Sequence, residues 1–418
     1  MISGRLLLIL SLVFLQEGIT YYLSFQVLAL FILVALVLSA GGRVRSKPLD
    51  IGVFLAFAIF LTMTALYSPL VISAKSSNIF FTTTAVLVYA AAIFHLPLLH
   101  IRRPEQLLLM LQYVSTAVIL ILAGILLISE STIVPFLTRE TMIQQNERLI
   151  DNFSAADAIS MDILHWALSG ESGRNDLFYG EPSFLAVVLF ACLGCQIFTS
   201  KLLTLSGHIS SSVSPPRMGS RMMELATYLA IVSLLYIESL SSIIYALLMI
   251  YFLFVKQRVA RQKWGTSMLV LVVFGVAFGA FSYDYFLHRL TMGESLSFAQ
   301  RFGLFFELDL IDVLKGIGDV AKLPAVGIHN GLLYIIAVSG IGGLVYLLTF
   351  LRYVYRLAEP LKLAMLTITT VLAIIMQNGG VFSPNKVVLL GLVLLPLSCS
   401  RTIRQRNELV RSVRYSHA

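Results

Sequence analysis

The stretch GRNDLFYGEPSFLAVVLFACLGCQIFTS, residues 173–200, joins a charged segment directly to an uninterrupted apolar run. Arg174, Asp176 and Glu181 all lie before Pro182, and the rest of the stretch has no charged side chain. Such a run approaches the roughly 20 residues that cross the hydrocarbon core of a bilayer as a helix. The stretch therefore predicts a membrane-spanning helix that begins at a cluster of charged groups.

The whole chain has this apolar character. Of its 418 residues, 58% are hydrophobic and 12% are charged, whereas soluble domains average about 45–50% apolar and about 25% charged. Apolar blocks long enough to span a bilayer recur along the sequence. We therefore expect an all-α polytopic membrane protein. In such a protein the net charge of +8 is no sign of binding to nucleic acid. The positions of the basic residues in the loops instead indicate how the protein is oriented in the membrane.

The apolar blocks predict twelve membrane spans. The first is short, and a signal peptide is the alternative interpretation, but no small-residue cleavage pattern follows it. The predicted spans are 5–18, 21–40, 51–73, 77–97, 107–129, 183–200, 224–238, 241–255, 266–283, 330–351, 362–378 and 384–399.

Charge counting predicts the orientation of these spans. With a cytoplasmic N-terminus, the inner segments hold 21 Lys and Arg and five acidic residues, and the outer segments hold nine basic and 17 acidic residues. The positive-inside rule favours this orientation, with both termini in the cytoplasm. The inner segments are 1–5, 41–50, 98–106, 200–224, 256–265, 352–362 and 399–418.

Two outer loops divide the chain into five parts. Both loops are long and acidic, and each leads into a span through a polar motif, which makes them the expected location of function. The parts are helices 1–5 (1–129), the first long loop (130–182), helices 6–9 (183–283), the second long loop (284–329), and helices 10–12 with a basic cytoplasmic tail (330–418).

Motifs of soluble enzymes are absent from the sequence. It contains no Walker A sequence, no dinucleotide-binding glycine fingerprint and no His/Glu pair spaced for zinc. Cys192 and Cys195 form a C-x-x-C motif inside the sixth span, where close helix packing explains small residues better than redox chemistry does. No metal site and no cofactor are therefore expected.

Several polar residues close the two long loops. Glu181 and Ser183 flank Pro182, and they either cap the sixth span or belong to a functional site. Arg301 lies on a predicted amphipathic helix that either rests on the bilayer or covers a cavity. His329 and the neighbouring Asn330 stand at the start of the tenth span, where a histidine is a helix cap or a catalytic group.

These motifs together resemble one family of membrane enzymes. The pattern R-x-x-L-F-x-x-E-P-S-F-L-A, residues 174–186, is similar to the arginine and EPS signature of Wzy-type O-antigen and capsule polymerases. A second block resembles their last outer loop, which O-antigen ligases share. Its residues are Arg301, Gly316, Ile317, Gly318, His329, Asn330, Leu333, Gly340 and Gly343.

The resemblance implies a GT-C-like, metal-independent glycosyltransferase in the bacterial inner membrane, with a periplasmic active site. Its donor is a growing glycan on undecaprenyl diphosphate, and its acceptor is one newly flipped lipid-linked repeat unit. A flippase and a chain-length regulator are the implied protein partners. Because arginines supply positive charge that never titrates, the release of a diphosphate needs no metal.

The resemblance also assigns roles to the outer residues. Arg174 and Arg301 are expected to bind the diphosphate, with Arg289 as a weaker third candidate. His329 is expected to be the general base on the acceptor hydroxyl, and Glu181 is either a rival base or a group that orients an arginine.

Two further residues complete the expected substrate-binding set. The amide of Asn330 is expected to hydrogen-bond a sugar hydroxyl, and Ser183 stands beside the EPS proline.

Two alternatives to a polymerase stay open. A ligase that transfers the polymer to the lipid A core would share the fold, the arginines and His329. A flippase or transporter of lipid-linked sugars would place polar groups at mid-membrane and often has inverted repeats. The outer-surface position of the polar motifs favours an enzyme.

Overall fold

The structure is a computed structural model that describes part of the chain. The described residues are 2–15, 18–20, 23–44, 48–66, 76–128, 182–207, 220–237, 239–256, 311, 314, 316, 331–377 and 383–416.

The described residues are mostly helical, as the sequence predicts. The helices before the first long loop are α1 (Ile2–Val13), α2 (Phe25–Ser39), α3 (Pro48–Leu66), α4 (Ser76–His95) and α5 (Pro104–Ile128). The helices between the two long loops are α6 (Pro182–Gly207), α7 (Ser220–Tyr236) and α8 (Leu240–Ile250), and a π-helical turn over Tyr251–Lys256 continues α8. The last helices are α9 (Gly331–Ala358), α10 (Ala364–Met376) and α11 (Pro384–Ser416).

Eleven of the twelve predicted spans coincide with one of these helices, and the span 266–283 lies outside the described residues. Among the residues that the structure describes, four helical segments are long and apolar enough to cross a membrane: Pro104–Leu127, Ser183–Ser206, Ser339–Leu361 and Pro384–Leu409. The protein is therefore a helical membrane protein by the length and composition of these helices.

The structure corrects the predicted span 330–351. Gly340 interrupts α9 with a φ of 54° and a ψ of −139°, a backbone conformation that essentially only glycine adopts. A Cβ built on Gly343 would lie 2.5 Å from the carbonyl oxygen of Ile335, whereas residues eight apart in a straight helix are separated by about 12 Å. The chain therefore bends sharply at Gly340. The part of α9 that is long enough to cross a membrane is the second part, which begins near Ser339.

Two other differences concern the ends of the predicted spans. The last helix does not end near residue 399, because α11 continues to Ser416 and includes most of the predicted basic tail. The described residues also include two short antiparallel ladders, in which β1 (Gly18–Thr20) pairs with β2 (Leu23–Ser24) and β3 (Arg43–Val44) pairs with β4 (Leu99–His100).

Helix α6 lies at the centre of the described bundle. It packs against α5, α7, α8, α10 and α11, and the side chains from Phe184 to Cys195 are all buried. A helix that is apolar on all sides is stable only when other helices or lipid surround it. Cys192 and Cys195 belong to this packed surface, and the Sγ atom of Cys195 lies 3.9 Å from the carbonyl oxygen of Leu111 on α5.

At one end of the bundle, the strands β3 and β4 pair and the last part of α11 packs beside them. We call this end the β3–β4 end. The ladder pairs Arg43 with His100, which joins two loops that the sequence places on the same side of the membrane. Helix α11 reaches this end, where Thr402 Oγ1 donates to the carbonyl of Ile101 over 2.8 Å and Arg406 contacts Glu105 at 2.7 Å. The starts of α3 and α5 and the end of α11 therefore share one side.

Candidate functional site

The site begins with the first turn of α6, which in sequence follows the polar motif of the first long loop directly. The helix starts at Pro182, as the sequence predicts, because the fixed φ of proline suits the first helical position and its missing N–H costs no hydrogen bond there. Ser183 follows, and it is 6% exposed. The residue directly before the helix is Glu181, which lies outside the described residues.

Ser183 does not face open solvent. Its Oγ accepts a hydrogen bond of 2.8 Å from the Nε2 atom of Gln377, which follows the last residue of α10. Gln377 is itself 5% exposed. This hydrogen bond between a buried amide and a buried hydroxyl joins the start of α6 to the end of α10.

A buried lysine completes this junction. The Nζ atom of Lys386, in the first turn of α11, donates to the carbonyl of Ile375 over 3.2 Å and also to the carbonyl of Gln377. Its side chain is 1% exposed. We call Ser183, Gln377 and Lys386 the Lys386 junction, and the end of the bundle that carries it the Lys386 end.

Local sequence explains why Lys386 lies where it does. Pro384 begins α11, and the Oδ1 atom of Asn385 accepts a hydrogen bond of 2.8 Å from the backbone N–H of Lys386. The hydroxyl of Ser383 also donates to that oxygen. Helix α10 ends at Met376, so its last carbonyls have no partner within the helix and accept from the lysine instead.

The helix directions put the Lys386 junction opposite the β3–β4 end. Along α6 and α10, Ser183 contacts Gln377 while Gly194 lies against Thr370, so the two helices run antiparallel. Helix α11 starts at the junction, whereas its residue Thr402 contacts the β4 region. The junction therefore lies on the side that the sequence assigns to the two long loops.

The turn between α7 and α8 reaches the same side. Phe190 of α6 stacks on Tyr245 of α8 with ring centroids 4.6 Å apart, and both rings lie within three turns of the starts of their helices. Three serines cluster at this turn, where Ser239 Oγ and Ser241 Oγ are 2.9 Å apart and Ser242 Oγ donates to the carbonyl of Ser239. These three serine hydroxyls therefore lie on the side of the Lys386 junction.

The second polar motif also ends at a helix start. Helix α9 begins at Gly331, directly after His329 and Asn330. Gly331 is buried, and Ile335 is 1% exposed. The bend at Gly340 brings Ile335 of this first segment against Gly343 at the start of the second segment.

Of the predicted site residues, the structure describes Ser183 alone. Ser183 belongs to the Lys386 junction, where it accepts a hydrogen bond from Gln377. The others lie outside the described residues, and their roles stay predictions: Arg174, Glu181, Arg289, Arg301, His329 and Asn330.

Sequence reasoning missed Gln377 and Lys386. Both lie at the boundaries of predicted apolar spans, Gln377 at the end of 362–378 and Lys386 at the start of 384–399. The signal was the tetrapeptide Ser383–Lys386, because lysine inside an apolar run is costly and usually has a function. The burial of Lys386 depends on the packing of α6, α10 and α11 against one another, which no local pattern encodes.

Comparisons with known proteins give no relative for this chain. No family model matches it, and neither the curated proteins nor the solved structures contain a significant match.

Proposed function

We propose that this protein is a polymerase that joins undecaprenyl-diphosphate-linked oligosaccharides at the outer face of the inner membrane. The observation that carries the proposal is that α6 starts at Pro182, so the R-x-x-L-F-x-x-E-P-S motif ends at a helix N-terminus beside a buried polar junction. Helix N-termini favour anions, since their first N–H groups have no partner within the helix.

The proposed reaction transfers the growing glycan to one repeat unit. The bond between the anomeric carbon and the diphosphate oxygen breaks, and its electron pair leaves with the lipid diphosphate. A bond forms between the same carbon and the acceptor hydroxyl oxygen, and the hydroxyl proton passes to His329. Arg174 and Arg301 stabilise the charge on the leaving diphosphate, with Arg289 as a third candidate.

The arginines suit this role for a chemical reason. A guanidinium forms two parallel hydrogen bonds to phosphate oxygens and keeps its charge at every relevant pH. Hydrogen-bond donors aimed at charge that develops in the transition state are commonly the largest catalytic contribution. The amide of Asn330 would orient a sugar hydroxyl of the acceptor.

Deletion of the gene separates polymerase, ligase and flippase. Loss of a polymerase leaves surface lipid with a single repeat unit, because ligation continues without chain growth. Loss of a ligase leaves bare core lipid while long polymer accumulates on undecaprenyl diphosphate, and loss of a flippase leaves no exported repeat unit. The single-unit product is expected, and either other product would contradict the proposal.

A matched pair of complementing variants sharpens this experiment. Arg404 is an exposed arginine near the β3–β4 end. Complementation with Arg404→Ala should restore long polymer, and complementation with Arg174→Ala should not. Equal restoration by both variants would contradict a role for the first polar motif.

A further inference from the structure

A groove lies where α9 turns into α10. Its volume is about 430 Å³, within the range of roughly 300–1,000 Å³ that is typical of small-molecule sites. The turn between the two helices is a short 3₁₀-helix, Glu359–Leu361. The groove is lined by Tyr355, Glu359, Lys362, Ala364, Met365 and Ile368. Its lining is therefore polar where the chain turns and apolar along the start of α10.

The groove lies at the height of one membrane surface. The membrane-length segment Ser339–Leu361 ends at the groove, and the apolar helix α10 starts directly after it. The other end of α10 leads to Gln377 of the Lys386 junction, so the groove belongs to the β3–β4 end. Tyr353 agrees with this position, because its hydroxyl donates to the carboxylate of Asp50 near the start of α3. The groove is therefore at the level of the phospholipid headgroups.

One face of α9 leads from the groove into the depth of the membrane. Its exposed side chains recur every three or four residues, so they share one side of the helix. The apolar members are Ile341, Leu344, Val345 and Leu348, and the polar members near the groove are Arg352, Tyr355 and Glu359. This face is therefore apolar at the depth of acyl chains and polar at the depth of headgroups, which matches the two parts of a phospholipid.

Two opposite charges stand close together at the polar part of the groove. The backbone N–H of Lys362 donates to the carbonyl of Glu359 over 2.8 Å, and the hydroxyl of Tyr355 donates to Glu359 Oε1 over 3.3 Å. Glu359 and Lys362 are both exposed. A lysine ammonium is a common partner of phosphate, and a carboxylate accepts hydrogen bonds from a primary ammonium. Together they complement a headgroup that carries both a phosphate and a primary amine.

We propose that this groove binds an ethanolamine phospholipid. Lys362 contacts the phosphate, and Glu359 accepts hydrogen bonds from the ethanolamine ammonium. The acyl chains lie against Met365 and Ile368 and along the apolar face of α9. A choline headgroup fits less well because its quaternary ammonium has no N–H to donate, and a glycerol headgroup fits less well because it brings no positive charge to Glu359.

This lipid site goes beyond the proposed polymerase activity and does not depend on it. On the predicted topology the β3–β4 end is cytoplasmic, so the lipid belongs to the cytoplasmic leaflet.

Native mass spectrometry tests the headgroup preference. The purified full chain, stripped of lipid in detergent, is titrated separately with the dioleoyl forms of phosphatidylethanolamine, phosphatidylcholine and phosphatidylglycerol, which differ only in the headgroup. The ethanolamine lipid should bind about fivefold or more tightly than either other lipid, because it makes one further charge-assisted hydrogen bond. Equal affinities, or a preference for phosphatidylglycerol, would overturn the proposal.

Two variants separate the two charges of the groove. Glu359→Gln should lose the preference for ethanolamine and keep the affinity for the choline lipid. Lys362→Met should weaken the binding of both lipids alike, because both carry the phosphate. The matched controls are Glu408→Gln and Lys201→Met, which change exposed residues on other helices and should bind as the wild type does. A preference that survives Glu359→Gln would overturn the proposal.

Photocrosslinking tests the position of the lipid in a membrane. Benzoylphenylalanine replaces Met365 in one variant and Met222, an exposed methionine near the start of α7, in the other. In vesicles with equal amounts of the three lipids, crosslinks from position 365 should be enriched in the ethanolamine lipid relative to those from position 222. The same lipid composition at both positions would contradict a site in the groove. Neither measurement involves polymer synthesis, so the lipid site and the proposed function are tested separately.

Discussion

Two arginines carry the proposed chemistry at the scale of single residues. Arg174→Ala and Arg301→Ala should each abolish polymer while the protein stays in the membrane, because each removes a guanidinium whose positive charge stabilises the leaving diphosphate. Lysine at either position should rescue poorly, since an ammonium cannot form the bidentate contact of a guanidinium. The measurement is the glycan ladder of complemented deletion cells, with Arg404→Ala as the control. Full-length polymer from an alanine variant would remove that arginine from the mechanism.

His329 has a separate prediction at the same scale. His329→Ala should slow polymer formation by about 10²–10⁴-fold if it is the general base, and donor binding should persist because the arginines are intact. His329→Gln keeps a hydrogen-bonding side chain but cannot accept the proton, so it should be nearly as slow. Single-turnover rates measure this difference. A glutamine variant close to wild type would make His329 a capping residue and Glu181 the leading base.

Single residues also mark what the sequence could not predict. The pattern around Pro182 predicted a helix start, and the structure confirms it, because proline at the first helical position is a local preference. The hydrogen bond from Gln377 to Ser183 joins residues 194 apart in the chain, so no local pattern encodes it. Lys386 was missed for the same reason: its burial depends on helices that are distant in sequence.

At the scale of elements, the bend in α9 can be tested by substitution of its glycines. Gly340→Ala should destabilise the protein by about 1–3 kcal/mol, because alanine is strained at a φ of 54°. Gly343→Ala should also destabilise it, since its Cβ would meet the carbonyl oxygen of Ile335. Gly124→Ala in α5 is the control, because a Cβ there meets nothing within 4 Å. Melting temperatures measure all three variants, and unchanged values for Gly340→Ala would contradict the bend.

Elements with a local signal were predicted well, and elements that depend on distant partners were not. Apolar runs predicted the helices because lipid or other helices cover every face of a span. The β3–β4 ladder pairs segments more than 50 residues apart, which hydropathy cannot detect. The bend in α9 has glycine as its local signal, but a glycine within an apolar run is usually a packing position in membrane helices.

At the scale of the whole molecule, the contacts divide the described helix ends into two sides. The β3–β4 end holds the loops and helix ends that the charge count places in the cytoplasm, including Arg43, Arg102 and Arg406. The Lys386 end holds the start of α6 and the turn before α8. The relative sides agree with the predicted topology, and the direction of the protein in the membrane stays a prediction.

Cysteine labelling tests that direction. In a variant without the three native cysteines, an impermeant maleimide added to whole cells with a permeable outer membrane should label single cysteines at 140–170 and at 305–325. It should not label cysteines at 205–220 until the inner membrane is opened, because the positive-inside rule places that loop in the cytoplasm. Labelling of 205–220 in intact cells would reverse the orientation and move the Lys386 junction to the cytoplasmic face.

The central claim is that this chain by itself joins lipid-linked repeat units, and a reconstituted reaction tests it most directly. Purified protein in vesicles receives undecaprenyl-diphosphate repeat units and EDTA, without nucleotide sugar and without an ion gradient. The account predicts a ladder of longer glycans, because the diphosphate bond stores the energy of the transfer. A wild-type protein that makes no ladder but moves the lipid-linked unit across the vesicle membrane would contradict it.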